Sequence, residues 1–75
     1  IKITTDKISK GVLMVFDVNG SSIITLHDGF LLPGETLVPW DGRDHVGKIV
    51  ATGTYFYSLF VDGELIESNS MIFIK

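Results

Sequence analysis

The chain contains no cysteine, so no disulfide can staple it and a zinc site built on thiolates is excluded. Positive charge is also sparse. Lys2, Lys7, Lys10, Arg43, Lys48 and Lys75 lie scattered, the net charge is −3 and the pI is about 5.0. Without a basic stripe to neutralise phosphates, a nucleic-acid partner is not expected. No apolar run approaches the roughly 18–20 residues that carry a helix across a bilayer, so membrane insertion is not expected. No leader with a basic start and an apolar middle opens the chain. Its first residue is Ile1 rather than Met, and the expectation is a segment excised or processed from a longer protein.

What the chain has is apolar content. Hydrophobic residues make up 45% of its 75 positions and the mean hydropathy is +0.38, which argues against disorder. The length suits a single domain spanning residues 1–75. A chain this short buries only roughly 60–65% of the surface that its unfolded form exposes, so a high apolar fraction compensates for a small core.

The pattern is that of strands. Val, Ile, Thr, Tyr and Phe gather in short runs that Gly, Asp, Asn and Pro separate. Ile1–Thr4 alternates as a first strand. Val12–Val18 is almost continuously apolar, as expected of a strand near the centre of a sandwich. Asn19 and Gly20 both tolerate positive φ and give a tight turn, from which Ser21–His27 returns antiparallel. Asp28–Gly34 reads as a loop and Glu35–Trp40 as a short strand. Pro39, lacking an amide donor, places that strand at an edge or itself at a bulge. After a polar connection over Asp41–Gly53 comes the strongest strand, Thr54–Val61. Thr54, Phe56, Ser58 and Phe60 fall on one face, and Tyr55, Tyr57, Leu59 and Val61 on the other. Asp62-Gly63 is a type I′ turn signal, followed by Glu64–Ile66 and Met71–Ile74, with Glu67–Ser70 as a bulge or exposed stretch between them. About six to seven antiparallel strands with turn signals every roughly 8–12 residues predict an all-β fold, a β-sandwich.

Reactive constellations are few. His27 and His45 are the only imidazoles, and neither sits in a pattern that supplies a nucleophile and an orienting group. No serine lies in a nucleophile-elbow context. Catalysis and cofactors are therefore not expected. Asp41-Gly42-Arg43-Asp44 brings two carboxylates into one loop, but Arg43 and His45 occupy the alternate positions where a calcium loop places oxygens. A structural turn, with Asp side chains accepting loop amides, is the expected role of Trp40, Asp41, Gly42, Arg43 and Asp44. Tyr55, Phe56 and Tyr57 could stack on sugars only if they offered coplanar exposed rings, and alternation along a strand sends neighbours to opposite faces. Asn19-Gly20-Ser21 matches a glycosylation sequon and is read as a turn.

Several segments together resemble a known family. Pro39-Trp40-Asp41-Gly42-Arg43-Asp44, then Gly47, then Val50–Tyr57 (VATGTYFY) are similar to the W-D-G-[RK]-[DN] turn and the G-[TV]-Y strand start of an immunoglobulin-like family. That family includes the C-terminal sorting domains of proteins exported by type IX secretion and a domain of the flagellar hook-capping protein. Val15–Gly20 resembles its V-Y-D-x-x-G hairpin, and Pro33-Gly34-Glu35 its P-A-G-x loop. The likeness runs from about Val12 to Lys75. Tyr55–Leu59 and the closing Met71-Ile72-Phe73-Ile74-Lys75 look like the finish of sorting domains. Two positions depart from the pattern. Ser70 stands where a basic residue usually precedes the Met, and the family's opening Asn-Pro stretch is missing.

The resemblance implies an immunoglobulin-like β-sandwich that forms the C-terminal part of a larger protein and reaches the cell surface or medium through the periplasm. Its implied partners are outer-membrane secretion machinery proteins and the passenger of its own chain. Its implied mode of action is to be bound. Pairing of a partner with the terminal strand is the expected mode, and Met71, Ile72, Phe73, Ile74 and Lys75 are the candidate contacts. Two alternatives carry different expectations. A structural module, of hook-cap or spacer type, would lie within an assembly. A carbohydrate-binding module would expose coplanar aromatic rings.

Overall fold

The computed structural model describes all 75 residues. Six strands form two antiparallel sheets, with no helix: β1 (Lys2–Thr5), β2 (Ser9–Phe16), β3 (Ser22–Leu31), β4 (Gly34–Leu37), β5 (Gly53–Val61) and β6 (Glu64–Phe73). β1 and β4 make a two-stranded sheet, and the other four are ordered β3-β2-β5-β6. The almost continuously apolar β2 is thus an inner strand, paired on both sides.

Alternation along β2 builds the core. Ser9, Gly11, Leu13 and Val15 are buried, while Lys10, Val12, Met14 and Phe16 face the other way. Leu13, Leu31 and Leu59 of the larger sheet meet Ile3 of β1 and Val38 just after β4. Each fully buried aliphatic side chain here contributes roughly 1.5–3 kcal/mol relative to exposure. Gly11 is required for this packing, because a Cβ there would stand 2.4 Å from Leu31 Cδ1. The opposite face of the larger sheet is apolar as well. Val12 lies opposite Phe60, Phe16 opposite Phe56, and Phe60 opposite Leu65, and these pairs shelter one another without a covering layer.

Both sequence-read hairpins form, and each turn does more than reverse the chain. Asp17 Oδ1 accepts the amides of Asn19 and Ser21 at 2.9 and 3.0 Å, and Gly20 takes φ of 81°. Asp62 and Gly63 have φ of 52° and 82°, the positive pair that a type I′ turn demands. Asp62 also reaches back to β2, accepting the Lys10 amide at 3.0 Å and donating its own to the Lys10 carbonyl at 2.8 Å.

Three expected boundaries are corrected. β2 begins at Ser9, because Ser9–Gly11 finds partners in Leu31, Phe30 and Gly29. For the same reason Asp28–Leu31 is strand rather than loop. β4 stops at Leu37, although Val38 still donates its amide to the Ile1 carbonyl at 2.8 Å. Pro39, which has no amide to give, then ends the pairing. The stretch Glu67–Ser70 is exposed, as one of its two expected readings has it, and the bulge lies just before it at Ile66, so the last strand continues through it. It pairs residue by residue with Leu59–Phe56, because an edge strand with solvent on its faces accommodates polar side chains.

Candidate functional site

The loop from Trp40 to Thr52 is held by its own side chains. Asp44 Oδ1 accepts the amides of Val46 and Lys48 at 3.1 and 3.0 Å, and the main chains of Asp44 and Lys48 bond at 2.9 Å. Arg43 donates from Nη1 to the Gly47 carbonyl at 2.8 Å, and its Nε lies 3.4 Å from Asp41 Oδ2. Both loop carboxylates therefore have partners within the loop. Trp40 Nε1 donates to the Arg43 carbonyl at 3.0 Å, which fixes the indole over the turn.

That indole joins the loop to the sheet. Its ring meets Tyr55 edge-on at 5.2 Å and Phe73 at 5.5 Å with a tilt of 46°. Tyr55 in turn donates its hydroxyl to the Ala51 carbonyl at 2.6 Å. Gly42, at φ of 78°, lies under the Phe73 ring so closely that any Cβ would overlap it. The aromatic rings of this cluster are inclined to one another rather than coplanar. The two imidazoles find main-chain partners outside this cluster. His27 Nε2 faces the Gly29 carbonyl at 3.3 Å, and His45 Nδ1 faces that of Ile23 at 3.4 Å.

The terminal segment divides by alternation. Phe73 packs on Trp40 and Met71 is half-buried opposite Tyr55, whereas Ile72 and Ile74 are 74% and 77% exposed. Lys75 donates its amide to Thr52 Oγ1 at 3.3 Å, which keeps the chain beside the end of β5. Within the Met71–Lys75 segment, then, Ile72 and Ile74 are apolar groups presented to solvent, and Phe73 is committed to the fold.

The two outer strands of the four-stranded sheet differ as edges. β3 is interrupted twice, since Leu26 and Ile23 have no opposite number on β2. Bulges of this kind twist an edge away from further pairing. Its outward side is also occupied at Ile23, whose carbonyl accepts the His45 amide at 3.0 Å. β6 carries one bulge, at Ile66, and from Glu67 to Phe73 it runs in unbroken register against Leu59–Gly53. No strand pairs with its outer side, and no Pro or Lys stands within it. Over this stretch alternate residues turn main-chain donors and acceptors outward, although the Ser70 amide is already held by Asn69 Oδ1 at 2.9 Å.

Next to the bulge lies a cleft of 340 Å³ lined by Thr5, Asp6, Lys7, Val61 and Ile66 among others. On the same side of β6, Tyr57 donates its hydroxyl to Glu67 Oε2 at 2.7 Å. This bond, together with partial burial and the carboxylate charge, raises the Tyr57 phenol above its ordinary value; Asn69 opposes the shift. The sequence singled out Met71–Lys75 as candidate contacts, and this segment spans the end of β6. It did not reveal the open edge as a whole, because edge position depends on strand order, and here β5 rather than β6 pairs with β2.

Comparison with protein-family models finds no match, and comparisons with curated proteins and with solved structures find none either.

Proposed function

We propose that this chain is an immunoglobulin-like β-sandwich module that works by being bound along β6, as the C-terminal sorting domain of a protein exported by type IX secretion. The observation that carries the binding mode is the edge itself. Past its bulge at Ile66, β6 is a regular edge strand that presents Ile72 and, just beyond it, Ile74 to solvent, and strand addition uses such an edge: main-chain bonds for affinity and alternate side chains for specificity. The sorting role rests on the resemblance at Trp40–Asp44, Val50–Tyr57 and Met71–Lys75. The clamp of Trp40 and Gly42 on Phe73 supports joining these segments into one reading, since it gives the turn motif and the terminal motif a shared structural task. On this proposal the partners are outer-membrane secretion proteins, and the passenger precedes Ile1 in the same chain.

The test is a fusion of residues 1–75 to a reporter bearing an ordinary export signal, expressed in a bacterium with type IX secretion. Deleting Met71–Lys75 would also remove Phe73 and loosen the fold, so the informative control is Ile72→Glu with Ile74→Glu. Surface or medium delivery by the parent fusion, abolished in that variant, is the expected result. Periplasmic retention of a folded parent fusion would instead favour a structural module of the hook-cap or spacer type.

A further inference from the structure

We infer that β6 pairs antiparallel with β6 of a second copy of this chain, about a two-fold axis at Met71, so that Glu67 of each copy meets Lys75 of the other. The edge is regular over Glu67–Phe73 and carries no Pro or Lys there, although Glu67 is charged and the Ser70 amide must leave Asn69 Oδ1 to pair. What selects a second copy as the occupant is the complementarity of this edge to itself. Its acids, Glu64 and Glu67, lie at the beginning, its one base, Lys75, at the end, and nothing charged lies between. An antiparallel pair of copies sets opposite signs together at both ends, whereas a parallel pair would set like against like.

Side-chain size follows the same rule. With Met71 on the axis, Ser70 faces Ile72 of the second copy and Ser68 faces its Ile74, small against large on the outer side of the sheet. On the inner side Asn69 faces Phe73 and Glu67 faces Lys75. Glu67 shares that side with Leu59, which it opposes on β5, and the Tyr57 hydroxyl already orients its carboxylate. Lys75, two residues beyond Phe73, returns to the same side by alternation. The pairing is isologous, closes on itself and joins two four-stranded sheets into one.

Sedimentation of the 75-residue chain across micromolar to millimolar concentration tests this, since it reads mass without export. A self-paired β6 is closed to a partner's strand, so the second copy must dissociate before the edge can be bound for export, and a failed dimer and a failed sorting role are separate results. The expected outcome is a reversible dimer. Glu67→Lys and Lys75→Glu should each raise its dissociation constant roughly tenfold, because each turns two attractive cross-strand pairs into repulsive ones. The double reversal should return it to within about threefold of the parent. Hydrogen exchange at the amides of Glu67–Phe73 should slow as concentration rises, and exchange in β3 should not. A chain that stays monomeric at every concentration overturns the inference. So does a dimer indifferent to both reversals, a double reversal no better than the singles, or protection that builds on β3. Lys75→Glu carries the test if Glu67→Lys perturbs folding through Tyr57, since no side-chain bond of Lys75 holds the fold.

Discussion

A Cβ on Gly42 would stand 2.1 Å from Cζ of Phe73, although the two residues are far apart in the chain. The glycine sits at φ of 78°, so an alanine there meets both a backbone penalty and a ring with no room to retreat past Trp40. Gly42→Ala should destabilise the domain by at least ~2 kcal/mol, the left-handed conformation supplying roughly 1–2 of it. In a Phe73→Ala background only the conformational part should remain. Urea denaturation of the four proteins in this cycle checks the non-additivity.

Asp44 replaces a longer stretch of secondary structure by accepting two loop amides with one oxygen. Asp44→Ala should cost about 1–2 kcal/mol, and Asp44→Asn, which keeps an acceptor, clearly less. Because Trp40 donates to the neighbouring Arg43 carbonyl, loosening of this loop should also shift Trp40 fluorescence before global unfolding.

Gly11 makes room for Leu31 inside the core, where an added Cβ would stand 2.9 Å from Leu31 Cγ as well as closer to Cδ1. Gly11→Ala should destabilise by roughly 1–3 kcal/mol through overpacking. Combined with Leu31→Ala, its effect should be smaller than the sum of the two, as measured by chemical denaturation.

Tyr57 gives a pH dependence with a definite sign. The folded phenol titrates above the unfolded one, at about 10, so the folded state holds the proton more tightly. Its contribution is complete below the unfolded value and is lost as pH rises through the folded one. Stability should therefore decline on the alkaline side, with a shallower decline in Tyr57→Phe. Ultraviolet titration should show Tyr57 ionising at lower pH in Glu67→Gln, where the carboxylate charge is gone.

The strand pattern and both hairpin turns were legible in the sequence because local chemistry decides them. Asp62 and Gly63 both take the positive φ that their sequence allows, whereas at Asn19-Gly20 only the glycine does. The errors arose where pairing overrode composition. Glu67–Ser70 reads as a bulge or exposed stretch because it is polar; it is exposed, yet it stays in register with Leu59–Phe56 as continuous strand. Asp28–Leu31 reads as a loop because of Asp28 and Gly29, yet Ser9–Val12 pairs with it. Val12–Val18 reads as a strand near the centre, and β2 is an inner strand, although its Val12, Met14 and Phe16 face away from the buried side. At the candidate site, Trp40–Asp44 could be read as a turn and Met71–Lys75 as a strand end. Their contact through Phe73 could not be read, because it depends on how β5 carries Tyr55 and β6 into register.

The packing of the turn loop on Phe73 also gives the molecule a mechanical direction. β6 is attached along one flank, with the Asp62-Gly63 turn at its start and the Trp40 clamp at its end. A pull at Lys75 along the strand loads the whole β5–β6 ladder in shear. A pull away from the sheet opens it like a zipper, one pair at a time from Phe73 inward. A peeling force applied at Lys75 would first meet the Thr52 bond and the Trp40–Phe73 contact, and the remaining pairs of the strand would then give way in sequence.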